Sequence, residues 1–254
     1  MKCAIMQPTY FPWLGYFSLI DSVDKFVILD NVKLEKHSWQ TRNRIKTSNG
    51  ESFLTIPTHA PKGRLDTLIN ETPLATETNW RDKHLKGIYL AYLKSKYFKD
   101  IYKFIGKLIY FDTDNLSEYT TNIIRKISHN IGIKTEFIIS SRMDNIKGRK
   151  DEKLVNICKL LKCNTYYSPQ GSAAYIEREI PGGAFSKNKI TLKYQNYVHP
   201  IYPQLWGNFL PFMGIVDLLF NCGLKKSLGI IRSGKKPEID YNKFRTTHKI
   251  KYTK

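Results

Sequence analysis

The period of the apolar positions changes repeatedly along the chain. Lys2–Met6 is a short apolar run, Trp13–Ile20 has helical spacing, and Phe26–Leu29 is apolar and β-branched again. This order predicts strand, turn, helix and strand. "ESFLTIPT" predicts a further strand, and Leu85, Ile88, Tyr89, Tyr92 and Leu93 place helix between Trp80 and about Ile109. A second helix is predicted from about Ser117 to Asn130, closed by Gly132. Beyond it, "KTEFIIS" reads as strand, "DEKLVNICKLLK" as an amphipathic helix, and "NTYYSP" and "ITLKYQ" as strands. Phe209–Cys222 is a late apolar helix ended by Gly223.

Strands alternating with helices predict an α/β fold: a mostly parallel, Rossmann-like sheet with flanking helices, an added helical segment and a C-terminal helical part. A single domain is expected over residues 1–224, with a helical insertion at about 80–130, followed by a basic tail over 225–254 expected to be mobile. In such sheets, ligands bind outside the carboxyl ends of the strands where the strand order reverses. The turn "QPTYFPWLGY" follows the first strand and opens a helix, so its amides and rings are expected to face that crevice.

Composition narrows the partners. The chain has 254 residues, 41% of them hydrophobic, enough for a sizeable core. Its 41 Lys and Arg against 22 Asp and Glu give a formal charge of +19, which favours anionic partners; a solvated Lys-rich surface is the plainer reading. Cys3, Cys158, Cys163 and Cys222 are scattered without Cys-x-x-Cys spacing, so neither a metal site nor a disulfide framework is expected. No leader pattern opens the chain, and the apolar run "FLPFMGIVDLLFNCGL" is too short and too polar to cross a bilayer. A cytoplasmic protein without integral membrane association is the expectation.

Five clusters could carry chemistry. The first is the turn with Gln7, Tyr10, Trp13, Gly15 and Tyr16. The second, "LEKHSWQTRNRIK", offers Lys36, His37, Trp39, Arg42, Asn43 and Arg44: cations for phosphate and a ring that stacks on a base or sugar. The third joins Trp80 to Lys83 and His84, the latter titrating near neutrality and so able to act as a base. The fourth is "YYSPQGSAAY" with Gly171, and the fifth combines His199, Tyr202 and Gln204 with Asp217 and Asn221 in an apolar helix. Each also has a plain structural reading as a surface loop, a satisfied core group or an ordinary turn. P-loop, dinucleotide-turn, nucleophile-elbow and Asp-x-Asp patterns are missing, which lowers the expectation of a kinase, dehydrogenase, hydrolase or metal-dependent sugar transferase.

Together the blocks "MQPTYFPWLGYFSLI", "DKFVILDNVKLEKHSWQTRNRI", Trp80 with Lys83 and His84, "YYSPQG" and "YPQLWGNFLPFMGIVDLLFNCG" resemble the WbqC-like family in order and extent. Met213-Gly214 departs from its pattern, where a Leu-Ser pair is expected, and so does Pro169-Gln170 before Gly171. Members are similar to proteins found among bacterial surface-polysaccharide and O-antigen genes. The resemblance implies a transferase that moves an acyl or aminoacyl group onto a nucleotide-linked amino sugar. On this reading His84, Lys83 and Asp217 are expected to be catalytic, and Gln7, Tyr10, Trp13, Gly15, Tyr16, Lys36, Trp39, Arg42, Asn43, Gly171, Gln204 and Asn221 to bind substrate. An acyl or aminoacyl donor, such as a thioester, and a carrier protein are further expectations; no cofactor is firmly implied. The alternatives are a nucleic-acid-binding protein, which the spread of cations disfavours, and a noncatalytic sugar-binding partner.

Overall fold

A computed structural model describes residues 1–35, 38–63 and 66–248. The elements, in chain order, are β1 (Lys2–Met6), α1 (Leu14–Ile20), β2 (Lys25–Ile28), β3 (Arg42–Thr47), β4 (Gly50–Thr55), α2 (Trp80–Tyr92), α3 (Phe98–Ile109) and α4 (Leu116–Ile131). They continue with β5 (Glu136–Ile139), α5 (Lys150–Leu160), β6 (Thr165–Ser168), α6 (Ala173–Ile176), α7 (Gly183–Lys187), β7 (Thr191–Tyr194), α8 (Ile215–Ser233), β8 (Ile239–Asp240) and α9 (Tyr241–His248).

The six-stranded sheet has the order β5-β2-β1-β6-β7-β8, and every pair is parallel except β7–β8. The α/β fold expected from the sequence is therefore the one observed. The short strands alternate between the two faces. Ala4, Phe26 and Ile28 pack with residues of α1, α4 and α8 on one side, while Cys3, Ile5 and Val27 pack with α5, α7 and α9 on the other. Each Leu or Phe wholly removed from water here contributes roughly 1.5–3 kcal/mol. Chain order reverses between β1 and β6, because the path runs from β1 outward to β2 and β5 before α5 carries it back to the far side of β1. The crevice expected for a ligand lies there.

Several elements differ from the sequence expectations for identifiable reasons. "RNRIKT" forms β3, paired antiparallel with β4 in a separate hairpin, although its alternate charges hide its period. The helical stretch from Trp80 breaks into α2 and α3. The late apolar helix begins only at Ile215, and at Gly223 the backbone leaves helical geometry (φ 74°, ψ 164°) before helix resumes to Ser233. The expectation of a mobile tail from residue 225 gives way to folded chain through residue 248. Arg232 and Lys235 both bind the Asp21 carboxylate, and the Arg245 guanidinium reaches the buried Glu177 at 3.0 Å. The rest of that expected tail lies outside the described residues.

Candidate functional site

The first βα turn is built by cross-bracing. Met6 ends β1, and the Tyr16 hydroxyl donates to the Gln7 carbonyl at 3.0 Å. Phe11 takes a left-handed backbone (φ 42°), costly for a bulky residue. Asn43 on β3 holds it there, its amide donating to the carbonyls of Tyr10 and Phe11, both at 2.9 Å. Strain held by a dedicated side chain beside the reversal of strand order is a feature of functional turns. The rings of this turn, however, enter the core: Tyr10, Phe11 and Tyr16 are buried because their apolar area gains more from packing than from an open crevice. Trp13 alone stays half-buried, edge-on to Tyr197 and Phe212 and stacked on His199.

Polar groups gather at the carboxyl ends of the strands instead. The Gln40 amide donates to Gln7 Oε1 at 2.8 Å, and Gln170, just past β6, donates to the Gln195 carbonyl at 2.9 Å. At the end of β2, the buried Asp30 accepts from Ser117 Oγ, Ser140 Oγ, Ser141 N and Ser141 Oγ, between 2.7 and 3.0 Å. Lys153 donates to the carbonyl and side-chain oxygen of Asn31 at 2.8 and 2.7 Å. Burial pulls the Lys153 ammonium below its ordinary pKa, against the opposing charge of Asp30.

Next to this crevice stands a platform of rings and cations. The backbone N–H of Tyr10 donates to the Trp39 carbonyl at 2.9 Å, which ties the platform to the first turn. Trp39 and Phe53 are exposed and stacked, 6.2 Å between centroids. The Arg42 guanidinium lies 4.8 Å from the Phe53 ring centre, and that of Arg44 lies 5.4 Å from Trp39. Arg44 also binds Glu51 at 2.9 Å, whereas the Arg42 side chain makes no hydrogen bond or ion pair among the described residues. Lys36, assigned to the same cluster, lies outside the described residues, as does His37.

His84 and Asp217 sit deeper. The Tyr10 hydroxyl lies 3.0 Å from His84 Nδ1, and His84 Nε2 lies 3.1 Å from the Thr55 carbonyl. A carbonyl only accepts, so Nε2 carries the proton and Nδ1 accepts from Tyr10. Burial pushes the imidazole pKa down to about 4. Asp217 accepts from Tyr92, Tyr202 and Gln204 at 3.0, 2.9 and 2.8 Å, and its complete burial raises the carboxyl pKa despite those donors. Lys46 reaches the same network through Gln204 Oε1 at 3.2 Å. Asn221 shares the helix but donates to the Asp217 backbone carbonyl rather than to its carboxylate. The departure at Gly214 also has a steric context: a Cβ there would meet the Phe11 carbonyl at 2.9 Å.

The structure thus joins Gln204 to Asp217, Tyr10 to His84, Asn43 to Tyr10, and Trp39 with Arg42 to Phe53. It does not gather all expected residues at one locus. Lys83 is exposed on the flank of α2 while His84 points inward, and Gly171 lies exposed in the turn after β6. Gln40, Lys46, Phe53, Asp30 and Lys153 escaped the sequence reading. A polar residue directly after an apolar parallel strand was the signal that could have found Asp30.

Comparison with known proteins agrees with this arrangement's extent. A model of the WbqC-like protein family matches residues 7–228, which spans the turn, the platform and Asp217. A protein of Mycobacterium tuberculosis (strain ATCC 25618 / H37Rv), titled Uncharacterized protein Rv1507c, is 35% identical over 225 residues, covering 87% of this chain and 94% of that protein. No solved structure matches the chain. With its first turn, its hairpin and Asp217 inside the matched span, the chain belongs to the WbqC-like protein family.

Proposed function

We propose that this chain is a transferase of surface-polysaccharide biosynthesis that joins an acyl or aminoacyl group to the amine of a nucleotide-linked amino sugar. The observation that supports this reading best is Arg42. It is a guanidinium without a hydrogen-bond partner among the described residues, set against the exposed Phe53 ring in the platform beside the reversal of strand order. A planar guanidinium can grip a diphosphate in two-pronged fashion, and Trp39 offers a face for the base. Gln7, Gln40 and Gln170 lie where sugar hydroxyls would be read. In the reaction, the sugar amine attacks the acyl carbon of a thioester, a C–N bond forms as the C–S bond breaks, and the proton lost by the amine ends on the departing thiolate. His84 and Asp217 are assigned positioning roles, since protein partners already occupy their polar atoms.

The test is calorimetric titration of the purified protein with a panel of nucleotide-linked amino sugars, alongside mass spectrometry of mixtures with thioester donors. Binding of one such sugar that Arg42→Ala abolishes, with an acylated product, supports the reading. Binding without product under any donor makes the chain a sugar-binding partner. Binding confined to single-stranded oligonucleotides, lost as salt rises, reassigns the stacked rings to nucleic acid.

A further inference from the structure

A cleft of about 840 Å³ opens between α4 and the edge strand β5. Its size falls within the range of roughly 300–1,000 Å³ typical of small-molecule sites. One flank of α4 supplies Thr121, Arg125, Lys126 and His129, residues that recur at helical spacing, and the opposite wall supplies Lys134 and Arg142. None of these five basic side chains is held in an ion pair among the described residues. Repeated positive charge around one concavity without internal neutralisation raises the local concentration of anions.

The interior adds a second, independent observation. Thr121 is only 4% exposed, and among the described residues its hydroxyl finds no hydrogen-bond partner; Asn70, which lines the same cleft, has an Oδ1 likewise unpartnered among them. A buried hydroxyl without a partner costs free energy that a ligand group can recover. Phe111 and Phe137 supply apolar wall, so the occupant has a carbon body as well as charge. Two carboxylates also border the space. Asp30 has its oxygens filled by four donors, and Glu118 accepts from Thr113 at 2.9 Å, which leaves the basic groups in excess.

We propose that the cleft between α4 and β5 is a second ligand site, one that takes a soluble organic phosphate of nucleotide size. Arg125 and Arg142 engage the phosphate, Thr121 and Asn70 bind polar groups of the body, and the two Phe rings contact its apolar part. None of Trp39, Arg42, Arg44 and Phe53 is among the residues lining this cleft, so the assignment stands without the transferase reading.

Isothermal titration with pyrophosphate, ADP and UDP at about 0.15 M ionic strength tests it. Charge-assisted bonds of this kind predict a roughly ten- to hundredfold loss of ADP or UDP affinity when Arg125→Glu/Arg142→Glu is added to an Arg42→Ala background, in which the platform's own hold on a diphosphate is removed. Thr121→Val, nearly isosteric, is expected to weaken the nucleotides but not pyrophosphate. Both variants are checked for an unchanged thermal transition, and Arg125→Gln substitutes if the double variant fails to fold. Equal affinity in the Arg42→Ala protein with and without the Arg125 changes, no ADP or UDP binding at all in the Arg42→Ala background, or retention of pyrophosphate binding with none for ADP or UDP would overturn the proposal.

Discussion

The indole of Trp13 lies directly over the Cα of Gly15, where a Cβ would fall inside the van der Waals envelope of the ring. Tyr197, Phe212 and His199 hold the ring from its other sides, so it cannot swing away without leaving them. The glycine of the first turn is thus required for space. Gly15→Ala is expected to lower stability by roughly 1–3 kcal/mol, the usual cost of overpacking. Urea unfolding followed by tryptophan emission measures this, and an unaltered midpoint would refute the packing argument.

His84 predicts a pH dependence whose sign follows from its environment. Its pKa falls from 6.5 in the unfolded chain to about 4 in the fold. Between those values the unfolded chain binds a proton that the native one excludes, so stability drops as pH falls through that window. The contribution is complete above the unfolded pKa and lost towards pH 4, with a size on the order of 3 kcal/mol. Replacing the ring by His84→Gln is expected to flatten the curve between pH 6.5 and 4 relative to the parent. Parallel curves for the two proteins in denaturant titrations would show that His84 is not the group responsible.

The periods of the apolar runs are local, so β1, α1, β2, α4 and α5 were legible, as was a helix start near Trp80. Strand order is not local. The pairing of β3 with β4 is local, through a turn at Ser48 and Asn49, but the Arg and Lys that alternate along β3 hide its opposite face of buried Asn43 and Ile45. Site residues suffered more. Tyr10 and His84 have the chemistry of a reactive pair, but burial is set by distant elements such as α2 and β4. Lys153 and Asp30 come together only because α5 crosses behind β2, a relationship that no spacing encodes.

Asp217 gathers three donors in a fully buried place, so its variants separate chemistry from support. Asp217→Ala leaves Tyr92, Tyr202 and Gln204 without their acceptor and is expected to cost roughly 3–5 kcal/mol. Asp217→Asn keeps one acceptor oxygen but turns an amide towards a donor, so an intermediate loss follows. Guanidinium unfolding of the three proteins gives the order parent, Asn, Ala. An Asn variant as stable as the parent would mean that the group is protonated in the fold, as its raised pKa permits near the acid end.

Trp39 provides the opposite case, a residue whose loss should be felt in binding alone. It is 47% exposed and its neighbour Phe53 is 43% exposed, so neither contributes much to the core. Trp39→Ala is therefore expected to change folding stability by less than about 0.5 kcal/mol. Stacking of a base on such a ring contributes roughly 1–3 kcal/mol, which predicts a loss of nucleotide-sugar affinity of about 5- to 150-fold. Phe53→Leu keeps apolar area but removes the π-face beneath Arg42, so a smaller loss is expected, about 0.5–1 kcal/mol. Arg42→Lys keeps the charge and loses the planar fork, so affinity should fall without a change in its salt dependence. Calorimetry and thermal unfolding on the same samples read both quantities. Equal losses of stability and affinity in Trp39→Ala would make the platform a folding element; a loss of affinity alone makes it a binding surface.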